Sequence, residues 1–408
     1  MRNLINTFSH NIETLRTFVI GIEPVLNAQR EENFTKNKES LLPLLVLLNK
    51  TNPEEFPLGE EERQLLIDKY KIEITEETEK GMKFSMENEK ESYFGEALKE
   101  IHMTDSQIKM LYQNSLMNLV VYFENVISSL IKEHIEKFPN INKKTISFEN
   151  LQKFNSIEDA FNFLIEKEVH DLMYDGFEDW IKYIKNNLNL SMGYINPFTD
   201  NIIEIIQRRN LFVHNRGIVN TIYLSKVNKT DYSVGDKISI DREYLDNAID
   251  LIEQMGVLIL LEYWKKIDTS DVYRAKTISD LVNQHLKNEK WTLTKAFSYF
   301  LMNDKGLNEV YRLTGQLNYW LSMKRLGNFK EIEKQLMAED FSAKKNDFQL
   351  CLLALQERKD EFFKLLPITC PSEISYKELN EWTIFNDVRQ LEQFQEFIKK
   401  ENLLLEQP

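Results

Sequence analysis

The sequence predicts an all-α protein, because it combines few chain breakers with long stretches of helical periodicity. There are 12 glycines and 9 prolines among 408 residues, whereas ordinary globular chains carry roughly 12% of the two together. Leu, Glu, Lys, Ile and Asn are abundant, and hydrophobic residues at 42% are enough to fill real cores. β-Sandwiches, barrels and glycine-rich nucleotide folds consume turn residues and are therefore disfavoured.

Residues 1–100 form the first of three regions that differ in composition and charge pattern. Helical periodicity begins at once, with Leu4, Phe8 and Ile12 among the apolar positions. The second half is strongly acidic between residues 54 and 79, and acidic runs are usually solvated faces or, less often, tails that bind a partner. We therefore predict an N-terminal helical region with an acidic second half.

Three signals bear on the compartment of the protein. The longest apolar run, Leu41–Leu48, contains Pro43 and is far shorter than the roughly 18 residues that span a bilayer. The N-terminus lacks the apolar stretch of a signal peptide, and two cysteines, Cys351 and Cys370, are too few for a disulfide framework. We expect a soluble, cytoplasmic protein with no membrane partner.

Residues 104–268 are typical of a bundle of long helices. The first helix is expected to begin at Thr104 or Asp105 and to stop at Pro139. The second is expected to begin at Ser156, a residue type that caps helix N-termini.

The rest of this bundle follows from further cap and breaker signals. The second helix is expected to be interrupted near Gly176. The third is expected to begin near Thr199 or Asp200 and to stop at Gly217, which accepts the left-handed conformation at little cost. Residues 221–240 indicate a short β-hairpin or an ordered loop. A last helix, capped by Asp241, follows.

Residues 270–408 indicate stacked helical hairpins. The segment Met323–Leu336 resembles Leu353–Leu366 at an offset of 30 residues, which lies in the range of helix-turn-helix repeats. Two matches at one period leave a second interpretation open, that of two unrelated amphipathic helices.

The net charge of −14 and the pI of about 5.2 exclude a polycationic surface that coats nucleic acid through bulk charge. The chain contains no G-x-x-x-x-G-K-[ST] phosphate loop, no G-x-G-x-x-G and no H-E-x-x-H. His170 has acidic neighbours, but helical angles scatter their side chains around the axis, so we interpret them as a solvated face. No cofactor and no metal are expected.

The segment Gln207–Gly217 differs from the rest of the chain. Asn210 and His214 are four residues apart and so share a helical face, while Arg209 lies about 140° from His214 around the axis. No Asp or Glu occurs between residues 205 and 230. Four further cations in this acid-free window are candidate RNA-binding residues: Arg208, Arg216, Lys226 and Lys229.

An arginine, an asparagine and a histidine suit cleavage of RNA without a metal. Histidine can give or take a proton near neutral pH, and arginine stabilises negative charge on a phosphate. The 2′-hydroxyl of RNA is an internal nucleophile, and its attack leaves a 2′,3′-cyclic phosphate and a 5′-hydroxyl. In-line cleavage needs a base and an acid, which a twofold dimer would supply. Spacing alone also fits ordinary capping, in which cations complement the helix dipole.

The segment resembles the Arg-x4–6-His motif of the HEPN superfamily, in which asparagine often follows the arginine, as Asn210 does here. The motif closes a long helix in an all-α bundle and is followed by a further helix, as in that family. The stretch Tyr232–Ile240, before Tyr244, is similar to an element of bacterial HEPN proteins. The resemblance covers about residues 104–268.

The resemblance implies a metal-independent endoribonuclease whose cleft forms between two protomers. Arg209 would be the phosphate-stabilising residue, His214 the acid or base, and Asn210 the polar second position. Glu124 occupies a place where related sequences often carry an acid and could pair with Arg209, although a solvated or structural glutamate is the other interpretation. Family members often act as toxins or abortive-infection effectors in antiviral defence.

Alternatives to catalysis remain open at this point. Some HEPN domains are inactive, so the chain could be a non-catalytic dimer joined to a helical-repeat scaffold for protein partners. Nucleotidyl modification or nucleotide binding by the same cleft is a third hypothesis. In each case the C-terminal hairpins could hold a protein trigger or antitoxin, because stacked helix pairs present extended surfaces.

Overall fold

Helices make up most of the protein, as the scarcity of glycine and proline predicts. The computed structural model describes residues 1–78, 81–138, 145–228 and 230–405. Within these ranges the protein is all-α with a single two-stranded sheet. None of the described helices combines the length and the apolar character needed to cross a membrane.

The N-terminal part contains four helices and the sheet. In chain order the elements are α1 (Arg2–Lys36), α2 (Leu42–Thr51), α3 (Glu60–Tyr70), β1 (Glu73–Thr78), β2 (Gly81–Ser85) and α4 (Asn88–Lys137). The two strands are antiparallel. An apolar cluster that includes Val46, Tyr70 and Phe94 packs beside them.

Helix α4 corrects the start expected at Thr104 or Asp105, because it runs without a break through both residues. Phe94 and Ala97 are buried, so the apolar face already begins about two to three turns earlier. The Thr104 hydroxyl donates to the Glu100 carbonyl oxygen at 3.2 Å, which is how a threonine inside a helix satisfies its side chain. Pro139 lies outside the described residues.

The middle of the chain confirms most of the expected boundaries. The helices are α5 (Phe148–Leu151), α6 (Ile157–Asp175), α7 (Phe177–Asn186), α8 (Thr199–Asn215), α9 (Thr221–Lys226) and α10 (Arg242–Ile267). The Ser156 hydroxyl accepts the Asp159 N–H at 3.0 Å and caps α6. Gly176, with φ of +107°, separates α6 from α7, and the Asp241 carboxylate accepts the Tyr244 N–H at 2.7 Å.

Residues 221–226 are helical, which corrects the expectation of a hairpin strand there. The Asn220 side chain accepts the Tyr223 N–H at 2.9 Å and caps α9, and Tyr223 is buried. The local cap and the burial of one aromatic side chain therefore override the strand preference of Ile-Tyr-Leu. Residues 232–240 form the ordered loop that was the other expectation.

The C-terminal part consists of short helices that follow one another in pairs. They are α11 (Val272–Lys287), α12 (Trp291–Asn303), α13 (Glu309–Arg325), α14 (Phe329–Ala338), α15 (Asn346–Leu355), α16 (Lys359–Thr369), α17 (Tyr376–Glu381), α18 (Asn386–Arg389) and α19 (Glu392–Leu405). Helix α11 packs on α12 and on α13, and α15 packs on α13 and on α16.

The first three pairs share one turn geometry, which confirms the expected hairpins. The turn residues Glu289, Gly327 and Glu357 have φ of +54°, +77° and +59°. The next residue in each turn donates its N–H to a carbonyl five residues earlier, at 2.9, 2.9 and 3.0 Å. The turns at Gly327 and Glu357 are the two that the 30-residue similarity aligns.

The chain divides into two compact units. One contains residues 1–10, 122–199 and 250–408, and the other contains residues 11–121 and 200–249. The three regions 1–100, 104–268 and 270–408 remain a sequence-based prediction.

Candidate active site

The Arg-Asn-His segment forms the last two turns of α8. Ile202, Ile203 and Ile206 bury the preceding turns. Leu211 then joins a small apolar cluster with Val219, Tyr223, Val227 and Ile238. Leu211 is therefore fixed in the core, while His214 is exposed and Arg209 and Asn210 are half-buried. The three candidate catalytic residues lie between an anchored core face and solvent.

Two consecutive left-handed residues end α8. Arg216 has φ of +55° and Gly217 has φ of +75°, so the expected stop at Gly217 is confirmed. The Gly217 N–H donates to the Leu211 carbonyl oxygen at 3.0 Å. A Cβ at this position would lie 2.7 Å from Phe212 Cε1 and 3.3 Å from the Ile238 carbonyl oxygen. The turn therefore has no room for a side chain at Gly217.

The loop Tyr232–Ile240 forms backbone hydrogen bonds with the chain at and just after this turn. The Val219 N–H donates to the Asp236 carbonyl at 2.8 Å, and the Gly235 N–H donates to the Val219 carbonyl at 2.9 Å. Ile238 N–H closes the ladder on the Gly217 carbonyl at 2.8 Å. This element, on which the resemblance partly rests, holds the end of the motif helix in a fixed position.

A carboxylate that sequence reasoning missed organises the other side of α8. Glu204 Oε1 accepts Arg208 Nε at 2.6 Å and the Tyr223 hydroxyl at 2.8 Å. Its Oε2 accepts the Tyr244 hydroxyl at 2.6 Å. The four-residue spacing of Glu204 and Arg208 predicts a pair on one helix face. No comparable signal in the sequence predicts that Tyr223 and Tyr244 contact Glu204.

Arg208 belongs to this network rather than to open solvent. Its Nη1 donates to the Ser239 carbonyl at 2.9 Å, its guanidinium carbon lies 3.9 Å from the centroid of the Tyr244 ring, and its side chain is 11% exposed. Burial lowers the pKa of Arg208, but Tyr244 and Glu204 outweigh it and raise the pKa overall. Arg208 therefore stays cationic and ties α8 to its neighbours.

The two tyrosines respond to the same environment. Burial, followed by the Glu204 carboxylate, raises the pKa of Tyr223 to about 12. The same two causes raise the pKa of Tyr244 well above its ordinary value of 10.0. Both phenols therefore stay protonated at neutral pH and act as donors to Glu204.

The remaining candidate residues differ in exposure and in the compact unit to which they belong. Arg216 and Lys226 are exposed, and Lys229 lies outside the described residues. Glu124 is half-buried in α4 and belongs to the compact unit that contains residues 122–199, whereas Arg209 belongs to the other unit. The pairing of Glu124 with Arg209 stays a prediction.

Apolar side chains flank the exposed histidine. Val213 is 48% exposed, Ile218 is 40% exposed and Ile222 is 63% exposed. Exposed apolar groups that lie together, with polar residues around them, mark surfaces that pair with another surface. Three apolar side chains close to His214 in the sequence are therefore exposed at and after the end of α8.

The described part of the chain holds no group of three or more His, Cys, Asp or Glu side chains placed to bind a metal ion. His170 is strongly exposed and lies 3.8 Å from Asp171, in keeping with a solvated face.

Comparison with protein-family models, with curated protein sequences and with solved structures returned no match to this chain.

Proposed function

We propose that this protein is a metal-independent endoribonuclease of the HEPN type, active as a homodimer in the cytoplasm and serving as an antiviral defence or toxin effector. One observation carries the proposal. The last two turns of α8 present Arg209, Asn210 and exposed His214 in an acid-free window, and the Gly217 turn and the Tyr232–Ile240 loop hold those turns in place.

The chemistry follows from these groups and from the substrate. A neutral imidazole of His214 takes the proton from the RNA 2′-hydroxyl, and the freed oxygen attacks the adjacent phosphorus. The guanidinium of Arg209 stabilises the charge that grows on the phosphate. Asn210 hydrogen-bonds to the phosphate or to the imidazole and orients it. The bond to the 5′-oxygen breaks, which leaves a 2′,3′-cyclic phosphate and a 5′-hydroxyl.

One chain supplies a single histidine in this segment, and the departing 5′-oxygen needs a proton. A second copy of the chain, related by a twofold axis, provides that acid from its own His214. The exposed Val213, Ile218 and Ile222 support such pairing, because their contact in a dimer removes apolar surface from water beside the site. Arg216 and Lys226 then add positive charge at the rim of the cleft.

The alternative is a non-catalytic HEPN dimer joined to a scaffold for protein partners. The three C-terminal helix pairs with one shared turn geometry favour it, because repeated pairs build extended binding surfaces. This alternative predicts that substitutions at His214 leave every phenotype intact, whereas removal of the residues after about 270 abolishes it.

The test is cleavage of total RNA by the purified protein in excess EDTA. We expect the wild type to cleave and both His214→Ala and Arg209→Ala to lose at least about 100-fold in rate, because one removes the acid–base group and the other removes the group that stabilises the phosphate charge. His170→Ala and Arg63→Ala are matched controls, since both remove the same side-chain types from helix surfaces elsewhere, and both are expected to cleave like the wild type.

Expression in a bacterial host extends the test to an enzyme that needs a cellular trigger. Growth arrest by the wild type, together with normal growth for both site variants at equal protein level, supports catalysis. Intact RNA in vitro combined with arrest that survives both substitutions would refute the ribonuclease proposal in favour of the scaffold.

A further inference from the structure

The first helices of the three C-terminal pairs line a groove of about 470 Å³. Helices α11, α13 and α15 contribute its walls, and the segment after α17 closes one side. Leu317 and Phe348 lie on the apolar wall, and the thiol of buried Cys351 also lines the groove. Burial raises the pKa of the Cys351 thiol, which keeps that part of the groove uncharged.

Asn318 is a largely buried polar residue of this groove. The residue is 9% exposed and lines the cavity. Its backbone carbonyl accepts the Ser322 hydroxyl at 2.7 Å, but within the described chain its side-chain amide makes no hydrogen bond. The amide is therefore available to hydrogen-bond with a ligand in the groove.

The amide of Asn318 offers one acceptor and two donors. A peptide unit of an extended chain presents the complementary pair, an N–H and a carbonyl. A polypeptide in a regular helix or sheet has already used these groups, whereas an extended segment has them free. The amide therefore selects an extended backbone.

An apolar side chain of the bound segment has a place beside this amide. Trp382 is 38% exposed at the groove, and its ring stacks on Phe385 at an interplanar angle of 9°. Val310, on α13, also lines the groove and is 52% exposed. A bulky aliphatic or aromatic residue would cover both.

Two lysines at the groove can receive a carboxylate of a ligand. Glu381 is paired with Lys377 at 3.9 Å, and the Asp347 carboxylate accepts the Phe348 N–H at 2.7 Å. Lys287 and Lys345 are exposed, and neither has a carboxylate partner among the residues that the structure describes. The groove is lined by two lysines and two carboxylates, and the two lysines are free to pair with a carboxylate of a ligand.

We propose that this groove binds an extended peptide segment of a partner protein, which carries a carboxylate for Lys287 and Lys345 and a bulky apolar residue for Trp382, with its backbone paired to Asn318. The inference does not depend on RNA cleavage, and it gives the partner expected at the C-terminal helices a location and a chemistry.

The experiment is selection of peptides from a display library of unstructured ten-residue sequences on the full-length protein. Enriched peptides are then synthesised, and their affinities are measured for purified variants. We expect enriched sequences to combine Asp or Glu with a large apolar residue. Asn318→Leu, which keeps the side-chain volume, is expected to weaken binding about tenfold or more while the helical content stays the same.

The double variant Lys287→Glu, Lys345→Glu is expected to weaken binding by at least about tenfold in low salt. Its matched control is Lys330→Glu, Lys364→Glu, which reverses two exposed lysines on the second helices of the pairs and is expected to bind like the wild type. An unstructured RNA oligonucleotide is measured in parallel.

The proposal is overturned if no sequence is enriched, or if the enriched peptides bind Asn318→Leu and the double groove variant as tightly as the wild type. It is also overturned if the RNA oligonucleotide, and not the peptides, loses affinity in the groove variants.

Discussion

Glu204 and Arg208 lie one turn apart on α8 and share a hydrogen bond of 2.6 Å between Oε1 and Nε. The same carboxylate accepts the hydroxyls of Tyr223 and Tyr244, so a single side chain connects α8 to α9 and to the start of α10. Because Arg209 is the very next residue, this network sets the orientation of the helix turn that begins the candidate site.

Replacement of Glu204 by alanine leaves a partly buried guanidinium and two phenols without their acceptor. We expect Glu204→Ala to lower the free energy of unfolding by about 3 kcal/mol, the scale for one member of a buried ionic network. Urea denaturation measures this loss. Glu243→Ala, at an exposed position of α10, is the control and is expected to change stability by less than about 0.5 kcal/mol; equal losses in the two variants would contradict the role of Glu204.

Replacement of Gly217 is expected to destabilise the turn for two reasons. Gly217→Ala places a Cβ 2.7 Å from Phe212 Cε1 at φ of +75°, which adds a clash to the backbone strain. Gly235 has φ of +98° and open space around it, so Gly235→Ala reports strain alone, about 1–2 kcal/mol. We expect Gly217→Ala to cost more than this in thermal or urea unfolding, and an equal or smaller cost would show that Phe212 moves aside freely.

The shared turn of the helix pairs predicts opposite changes in stability when glycine is introduced at one turn and removed from another. Glu289 occupies a left-handed position that Gly327 fills in the next pair. Glu289→Gly is expected to raise the free energy of unfolding by about 1 kcal/mol, because glycine relieves the steric cost of positive φ. Gly327→Ala, which meets no atom within 4 Å, is expected to lower it by about the same amount. Changes of the same sign in both variants would contradict a common turn.

The raised pKa of Tyr223, about 12, predicts a loss of stability at high pH. The folded protein holds the phenolic proton more tightly than the unfolded chain does, so the contribution is complete below about pH 10 and falls as pH rises toward 12. Two pKa units correspond to at most about 2.7 kcal/mol. Denaturation at a series of pH values measures the fall.

Tyr223→Phe is the variant that isolates this effect. It is expected to be less stable than the wild type at neutral pH, because Glu204 loses a donor, and to show a smaller fall between pH 10 and 12. The pKa of Tyr112, raised by burial and by Glu23 to about 12 as well, keeps part of the fall in the variant. A fall of unchanged size would mean that Tyr223 does not carry it.

Local signals predicted the parts of the fold that depend on neighbours in the chain. Ser156, Gly176 and Asp241 mark helix ends because a cap or a left-handed residue acts within about three residues. The helix start predicted at Thr104 was wrong, because packing outweighed the local capping signal. The buried apolar face around Phe94 extends the helix through Thr104.

Only part of the candidate site could be predicted from the sequence. The spacing of Asn210 and His214 can be read from the sequence, and so can the lack of Asp and Glu between residues 205 and 230. The partners of Glu204 lie 19 and 40 residues further along, and no periodicity joins residues at such distances. The groove at Asn318 depends on the packing of three helix pairs, which the 30-residue similarity indicated for two of them only.

The chemistry at His214 and Arg209 is the central claim, and the ends of the RNA products test it most directly. A defined RNA with one susceptible linkage is incubated in EDTA with the wild type, with His214→Ala and with His170→Ala, alongside the same RNA carrying a 2′-deoxy nucleotide at that linkage. We predict a 2′,3′-cyclic phosphate and a 5′-hydroxyl from the wild type and from His170→Ala, with no cleavage by His214→Ala or of the deoxy substrate. Products with 5′-phosphate ends, or equal cleavage by His214→Ala, would contradict the account.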